Sequence, residues 1–486
     1  MAPYVLTSLL LVLLLFTLYR KGKKMGEFPG YFLPLLFVVK LLVASFFLYV
    51  YTYIYGGGLL THDAGEFLRE SKILHDVFHQ SPRDYFTFLF GCEPNTDFIL
   101  KHLGETNHWS AYGKPFFNDS QNVIRLNSIV YFLSKGWDFT HVLVGSFFSF
   151  AAIFITYQWV KLRSSLPKKT LFLLLFLLPS LLFWSSSFLK EPFMLFGLAL
   201  LCYGIFNNSI KWPLRLFSII TGILFSLLFK PYVVVIFAVA LLFYLIHLFL
   251  KGFKTRIKLG VYFSFLLLVL AIPNIHSSVI NKLTRQQTNF INVGAGGLHI
   301  ARNDSILFFT TKDVEGLRVE HNKAYVDKET EGFYVTNNVR YTFVPHTVQP
   351  SKVPYTVIYQ RKGSASHFEI TRLNYSWKKL LFSIPEAMGN SFFRPFWSDS
   401  GTWLMTLAKI ENLLLLVLTL YFFYKANFKN NPNLPIIITF ALFLLMLMLI
   451  IGYTTPVTGA IVRYKIPALL ALGIMIILGF NTKQKT

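Results

Sequence analysis

The chain alternates long apolar runs with short polar connectors. Runs 9–18, 171–184 and 413–424 carry no charged residue. With their mostly apolar flanks they approach the length of about 20 residues that a helix needs to cross about 30 Å of hydrocarbon. Lipid offers no water to backbone groups, so such runs must be helical. Read with their flanks, they predict eleven transmembrane helices at 3–19, 31–55, 140–160, 169–187, 190–207, 213–229, 232–250, 257–274, 409–425, 434–452 and 462–480. A weaker apolar stretch at 123–133 reads as re-entrant or interfacial. Two long hydrophilic segments remain, 56–139 and 275–408. In the second, short alternating β-branched patterns at 317–319, 332–335, 339–344, 355–359 and 368–371 predict strands. The expected fold is mainly α: a polytopic membrane protein of about eleven spans with a small β-containing external domain. Its parts are an N-terminal transmembrane region 1–274 with an external loop 56–139, an external soluble domain 275–408, and C-terminal transmembrane helices 409–486.

Charge then orients the pattern. Arg20, Lys21, Lys23 and Lys24 follow the first span, and Lys161, Arg163, Lys168 and Lys169 follow the third. Lys211 and Arg215, then Lys251, Lys254, Arg256 and Lys258, then Lys425, Lys429, Lys483 and Lys485 fall in connectors of the same parity. Positive residues are retained on the cytoplasmic side. The expectation is therefore a multi-pass protein of the cytoplasmic membrane, N-terminus outside and C-terminus inside, with both hydrophilic segments outside. Making 123–133 a full span would break this alternation. The first nineteen residues lack a charged n-region and a small-residue cleavage site, so they read as a retained helix.

Composition agrees. Of the 486 residues 54% are hydrophobic and 14% charged, against roughly a quarter charged in soluble domains. The net charge of +23 is explained by contact with the lipid bilayer and its anionic head groups, and no nucleic-acid partner is expected. Cys92 lies in a hydrophilic loop and Cys202 in an apolar run, which argues against a disulfide.

Ionisable residues near membrane depth are costly and so single out candidate sites; here they gather at the outer ends of the predicted helices. Thr61-His62-Asp63-Ala64-Gly65-Glu66 follows Gly56-Gly57-Gly58 and opens an amphipathic helix. Asp63 is read as a general base that deprotonates an acceptor hydroxyl, with Glu66 as a second catalytic candidate and His62 as a substrate contact. The plain alternative makes Asp63 an N-cap with Glu66 in a capping box, and Glu66 and Glu70 solvated. At Ser185-Ser186-Ser187-Phe188-Leu189-Lys190-Glu191-Pro192 two spans meet without a hydrophilic loop. Lys190 and Glu191 are both substrate-binding candidates: they pair with each other or snorkel to the interface, or else Lys190 binds a lipid-carrier phosphate. Lys230, Arg463 and Lys465 are further outer cations suited to an anionic substrate. Arg394, within Phe392-Phe393-Arg394-Pro395-Phe396-Trp397, either pins the external domain or contacts substrate, and its aromatic neighbours suit an interfacial belt. His75 and His79 have the i, i+4 spacing of metal ligands but no HExxH pattern. No metal and no cofactor is assigned, and a divalent metal is left as the alternative. Phosphate-binding and nucleophile-elbow fingerprints are absent. An activated sugar on the outer face would have to arrive on a lipid carrier.

An apolar helix followed by a long external loop that opens on an acidic residue and an amphipathic helix resembles the GT-C superfamily of polyprenyl-phosphate-sugar-dependent integral membrane glycosyltransferases, which includes protein O-mannosyltransferase-like and aminoarabinose transferase-like enzymes. In that resemblance Asp63 matches the acidic position, and Lys190, Lys230, Arg463 and Lys465 match cations at outer helix ends by location. Two departures stand out: the acidic loop follows the second predicted helix instead of the first, and Asp63 is preceded by His62 where many members carry a paired acid. The resemblance implies transfer of a sugar from a polyprenyl-phosphate-linked donor to a glycan or lipid acceptor. Two alternatives are a polysaccharide polymerase or ligase using lipid-diphosphate-linked glycans, depending more on Arg394 or Arg463, and a non-enzymatic lipid-linked-oligosaccharide flippase. A flippase should carry ionisable groups near helix midpoints and repeated halves; few deep charges and no repeat are evident in the sequence.

Overall fold

The computed structural model describes residues 3–110, 118–303, 305–336, 342–399, 402–426, 428 and 431–480. Lys429, Lys483, Lys485, the two extreme termini and part of the predicted strand 339–344 lie outside these.

Helix α1 covers Pro3–Met25 and α2 covers Phe32–Tyr49, prolonged by a π-helical turn Val50–Ile54. The hydrophilic segment that follows is helical: α3 His62–Gln80, α4 Pro82–Leu89, α5 Thr96–Leu103, the single turn α6 Asn107–Ser110, and α7 Asp119–Ser134. Next come α8 Asp138–Val160, α9 Lys168–Phe176, α10 Pro179–Trp184, α11 Lys190–Phe206, α12 Trp212–Phe229, α13 Pro231–Phe249, α14 Thr255–Leu270 and α15 Pro273–Ala295. Seven strands follow, β1 Gly297–Arg302, β2 Ser305–Thr310, β3 Leu317–Glu320, β4 Lys323–Val326, β5 Thr330–Thr336, β6 Thr342–Val348 and β7 Ser351–Arg361. The chain closes with α16 Trp377–Phe382, α17 Ile384–Phe393, α18 Trp403–Lys425, α19 Leu434–Thr454, α20 Thr458–Tyr464 and α21 Ile466–Gly479.

Among the described residues seven helices are long and apolar enough to cross a membrane: α1, α2 with its π turn, α8, α12, α13, α18 and α19. Counting the bent pairs α14–α15 and α20–α21 as one crossing each raises this to nine. Such a set is what a multi-pass membrane protein requires, but the eleven predicted spans are not reached. Prolines account for much of the difference. The predicted span 169–187 breaks before Pro179 into helices of 9 and 6 residues, and 190–207 forms a helix of 17 residues. Pro273 opens α15 after a bend of 87° from α14; a proline lacks the N–H that would continue the preceding helix and suits a first turn.

The chain divides into two compact units. Unit 1 comprises Met1–Tyr244, Leu418–Leu444 and Ile466–Thr486; unit 2 comprises Leu245–Val417 and Leu445–Lys465. In unit 1 α11 packs tightly against α12. Ser218, Gly222 and Ser226 recur every four residues on α12 and are buried. A Cβ on Gly222 would stand 2.5 Å from the Leu201 nitrogen, and one on Gly197 would stand 2.7 Å from the Ser226 nitrogen. Such small-residue stripes let backbones approach where lipid removes the hydrophobic drive between helices. At one end of this unit Glu27, between α1 and α2, accepts hydrogen bonds from Lys161 (2.9 Å), Lys168 (3.3 Å) and the Tyr157 hydroxyl (2.6 Å). The connectors after α1 and α8 therefore share an end, next to Lys23 and Lys24 in the last turn of α1.

The stretch read as interfacial, 123–133, lies within α7, which is not an apolar surface helix but the polar hub of unit 1. Asn122, Arg125, Asn127, Ser128 and Ser134 are all buried. Asn122 donates to Leu228 O, Arg125 to Phe88 O, and Asn127 to Phe188 O, at 2.9, 2.6 and 3.2 Å. Satisfying buried polar groups with backbone carbonyls fixes where each neighbouring segment sits.

Unit 2 contains an antiparallel sheet ordered β3-β4-β7-β1-β2-β5-β6. Strand alternation makes it two-faced: Leu298, Ile300, Leu307 and Phe309 pack on one side with Ala324 and Val326, while Phe308, Phe333 and Val335 cluster on the other. His321 and Asn322, with φ of 46° and 64°, make the two-residue turn between β3 and β4. The glycine cluster 294–297 ends α15 and starts the sheet, where a Cβ on Gly297 would meet Phe309 O at 2.0 Å. The strand expected at 368–371 does not form. Its backbone donors go elsewhere, Phe368 N to Pro456 O (2.9 Å) and Thr371 N to the Glu386 carboxylate (3.0 Å).

Candidate functional site

The acidic segment sits where α2 runs out. The π turn, followed by Gly57 and Gly58 at φ of 58° and 105°, turns the chain into α3. Thr61 occupies the N-cap without a side-chain capping bond, and His62 opens the helix at a left-handed φ of 57°. Asp63 is therefore not the N-cap and no capping box forms. It lies in the first helical turn, where the unpaired N–H groups favour a carboxylate. The His62 ring stands edge-on to Tyr51 and Tyr55, at 5.8 Å from each. Asp63 and Glu66 are exposed, and Glu66 accepts a long bond from the Asn107 amide at 3.5 Å. Glu70, expected to be solvated, is instead fully buried. Its carboxylate accepts from Asn107 N at 2.8 Å and pairs with His108 Nδ1 at 3.0 Å, so it anchors α6.

Lys190 does not pair with Glu191. Its ammonium bonds the Asp119 carboxylate and the Ser120 hydroxyl, each at 2.9 Å, and stands 5.8 Å from the centre of the Phe67 ring. Glu191 instead takes Lys230 at 2.8 Å, with both side chains buried. Phe67 is four residues beyond Asp63, so both lie on one face of α3. The fold thus brings Lys190 to the helix face that carries Asp63.

In unit 2 three separate sequence clusters converge. Arg394 stacks on Phe368 at 3.7 Å and on Phe396 at 4.6 Å, and donates to Asn390 Oδ1 (2.9 Å) and Asp399 Oδ1 (2.7 Å). Asn412 on α18 donates to the carbonyls of Phe393 and Arg394, and its Oδ1 accepts from Lys465 at 2.6 Å. Lys465, between α20 and α21, is 2% exposed beside the buried Glu411. Arg463 is half-buried in the last turn of α20. His62, Asp63, Glu66, Lys190, Glu191 and Lys230 belong to unit 1, and Arg394, Arg463 and Lys465 to unit 2. Lys190, Lys230 and Arg394 each have a carboxylate partner, so a phosphate at any of them would compete with Asp119, Glu191 or Asp399.

Sequence reasoning passed over two features. Lys40, at 0% exposure inside the α2 span, donates to the Ser185 and Ser186 hydroxyls at 3.0 and 3.1 Å. Among the described residues no carboxylate pairs with it. A lone lysine within an apolar run was the available signal. The second feature is Arg125, paired with Glu93 at 3.0 Å. Burial pulls its pKa below the usual arginine value, opposed by Glu93, and nothing in the local pattern distinguishes it from an interfacial cation. The metal alternative has a geometric basis in His75 and His79, whose Nε2 atoms face each other at 3.3 Å. Among the described residues no group of three or more His, Cys, Asp or Glu side chains gathers as a metal cluster.

Compared with protein-family models, with curated proteins and with solved structures, the chain has no significant match in any of the three.

Proposed function

We propose that this protein is a GT-C-type membrane glycosyltransferase that moves a sugar from a polyprenyl-phosphate carrier to a glycan or lipid acceptor on the outer side of the cytoplasmic membrane. The observation that carries the reading is the α3 face: Asp63 is exposed in the first turn, and Lys190 stands over Phe67 one turn later. In this reading Asp63 takes the proton from the acceptor hydroxyl as it attacks the anomeric carbon, and the bond to the carrier phosphate breaks. Lys190 then shifts from Asp119 toward the departing phosphate, where negative charge develops. Glu66 and His62 border the acceptor side.

The test uses the purified chain in proteoliposomes with radiolabelled polyprenyl-phosphate sugars and membrane extract as acceptor. Asp63→Asn abolishes transfer with thermal unfolding unchanged, and Lys190→Met weakens donor use more than acceptor use. Full transfer by Asp63→Asn overturns the assignment.

A second reading, a lipid-linked-oligosaccharide flippase, is favoured by Lys40 beside the broken helix α9–α10, because broken helices and deep ionisable groups mark transport pathways. It expects scrambling of a fluorescent lipid-linked glycan that Lys40→Met stops and Asp63→Asn leaves intact.

A further inference from the structure

Near the far end of α3 from Asp63, two side chains make an arrangement that the proposed reaction does not use. His75 and His79 are one turn apart on the 19-residue helix, and their Nε2 atoms approach to 3.3 Å with ring planes at 83°. The His75 ring is held in place: it stacks on Tyr131 at 5.8 Å and meets the edge of Phe132 at 4.4 Å. Tyr131 is itself fixed by donating its hydroxyl to Leu68 O at 3.1 Å. His79 is exposed in the last turn, and Asp76, also exposed, adds a negative charge between the two histidines in sequence.

We infer that His75 and His79 form an open site for a divalent transition-metal ion of the zinc class, bound through both Nε2 atoms and completed by water or an exchangeable ligand. Imidazole nitrogens bind zinc at about 2.0–2.1 Å, so two of them at the tetrahedral angle of about 109° are separated by about 3.3–3.4 Å. The observed 3.3 Å matches that bite. Two donors at right angles in an octahedral magnesium shell, at about 2.0–2.1 Å, would stand only about 2.9 Å apart. At this distance the two Nε2 atoms either make a hydrogen bond, one ring donating its N–H to the lone pair of the other, or hold a cation between them. Imidazole is the ligand type that favours zinc, copper and nickel over magnesium or calcium. Both protein ligands come from one helix, and with only two of four tetrahedral positions filled by the protein, water or an exchangeable ligand takes the other two.

The test takes the full-length protein in detergent micelles, purified without a histidine tag. Cobalt(II) is titrated while its visible d–d bands are followed, and zinc affinity is then measured by competition with a chromophoric chelator. The expected result is one equivalent of metal per chain, a tetrahedral cobalt spectrum, and zinc affinity weakened by about tenfold or more in His79→Gln. Because His79 is exposed, that variant keeps its fold, which thermal unfolding checks. His75→Gln gives the same loss, while His346→Gln, on exposed β6, leaves the affinity unchanged. A hydrogen bond between the rings in place of a metal would show as an absence of stoichiometric binding. That absence, or binding retained in His79→Gln, overturns the inference.

Discussion

Lys40 and Lys230 are both sealed inside unit 1, at 0% and 3% exposure, yet their charges are met in different ways. Lys230 faces the Glu191 carboxylate at 2.8 Å. Lys40 faces two serine hydroxyls, and each of these passes its own proton back to a carbonyl of α10, Ser185 to Leu181 O at 2.5 Å and Ser186 to Leu182 O at 2.6 Å. Those carbonyls belong to the last turn of a short helix, the negative end of its dipole. One ammonium is therefore balanced by a full charge and the other by oriented dipoles. The two sites should respond oppositely to losing one partner: an ion pair that loses one member leaves a buried charge, whereas a dipole site that loses its cation leaves only neutral, still-bonded serines.

The largest effect is expected at the ion pair. Glu191→Gln removes the carboxylate of the pair while the Lys230 ammonium stays buried, and should lower unfolding stability in detergent by about 3–5 kcal/mol. The double variant Glu191→Leu with Lys230→Met should recover most of that loss, since apolar replacements of buried pairs are often neutral or stabilising. Next comes the double variant Ser185→Ala with Ser186→Ala, which removes both hydroxyl acceptors from Lys40 and should cost about 1–3 kcal/mol. Smaller again, Lys40→Met keeps the volume and strands nothing, so its cost should stay below about 1.5 kcal/mol. If Lys40→Met proves as damaging as Glu191→Gln, the distinction between the two lysines fails.

The same contrast explains what the sequence could and could not reveal. Hydrophobic runs located seven helices because crossing a bilayer is a matter of length and composition, which the chain displays directly. Breaks within runs were harder, since Pro179 and Pro273 lie inside stretches whose average remains apolar. Strands were found where alternation was exposed, as at 317–319 and 355–359. They were missed at 305–310, where Leu307 to Thr310 are buried in succession and the alternation is lost, and at 297–302, whose short alternation of buried Leu298 and Ile300 with half-buried His299 and Ala301 was passed over. At the candidate site, spacing singled out Asp63, Lys190 and Lys230 but could not say who partners whom. Lys190 meets Asp119, 71 positions away in sequence, and Lys230 meets Glu191. Polar pairing over such separations is set by tertiary packing, so the adjacent Lys190–Glu191 pair, one of the alternatives that the sequence left open, is not the one that forms. Lys40 was passed over although a lone lysine in an apolar run is a signal, and its serine partners carry no charge that would have reinforced it.

A third cationic contact sharpens the comparison at its weakest end. Glu27 bonds Lys161 and Lys168 outside the membrane-spanning helices, at side-chain exposures of 17%, 14% and 52%. Burial, the largest single influence, raises its pKa, but the hydrogen bonds from Lys161 and Tyr157, with the charges of Lys161 and Lys168, outweigh it and hold the carboxyl below its usual 4.5. A carboxyl depressed in the folded state stabilises that state above pH 4.5, and its contribution fades as pH falls through the lowered value. Glu27→Gln should therefore cost under about 1 kcal/mol at neutral pH, and nothing once the pH is below the folded pKa. Raising the salt to about 1 M, where the screening length is about 3 Å, should shrink even that cost while leaving the Glu191→Gln loss in place. Unfolding measured for both variants at two salt concentrations and across acid pH separates a partly exposed contact from a sealed one. Equal salt sensitivity would mean that solvent reaches Lys230 as readily as Lys161, and the contrast with Lys40 would then have to be redrawn as one of access rather than of partner chemistry.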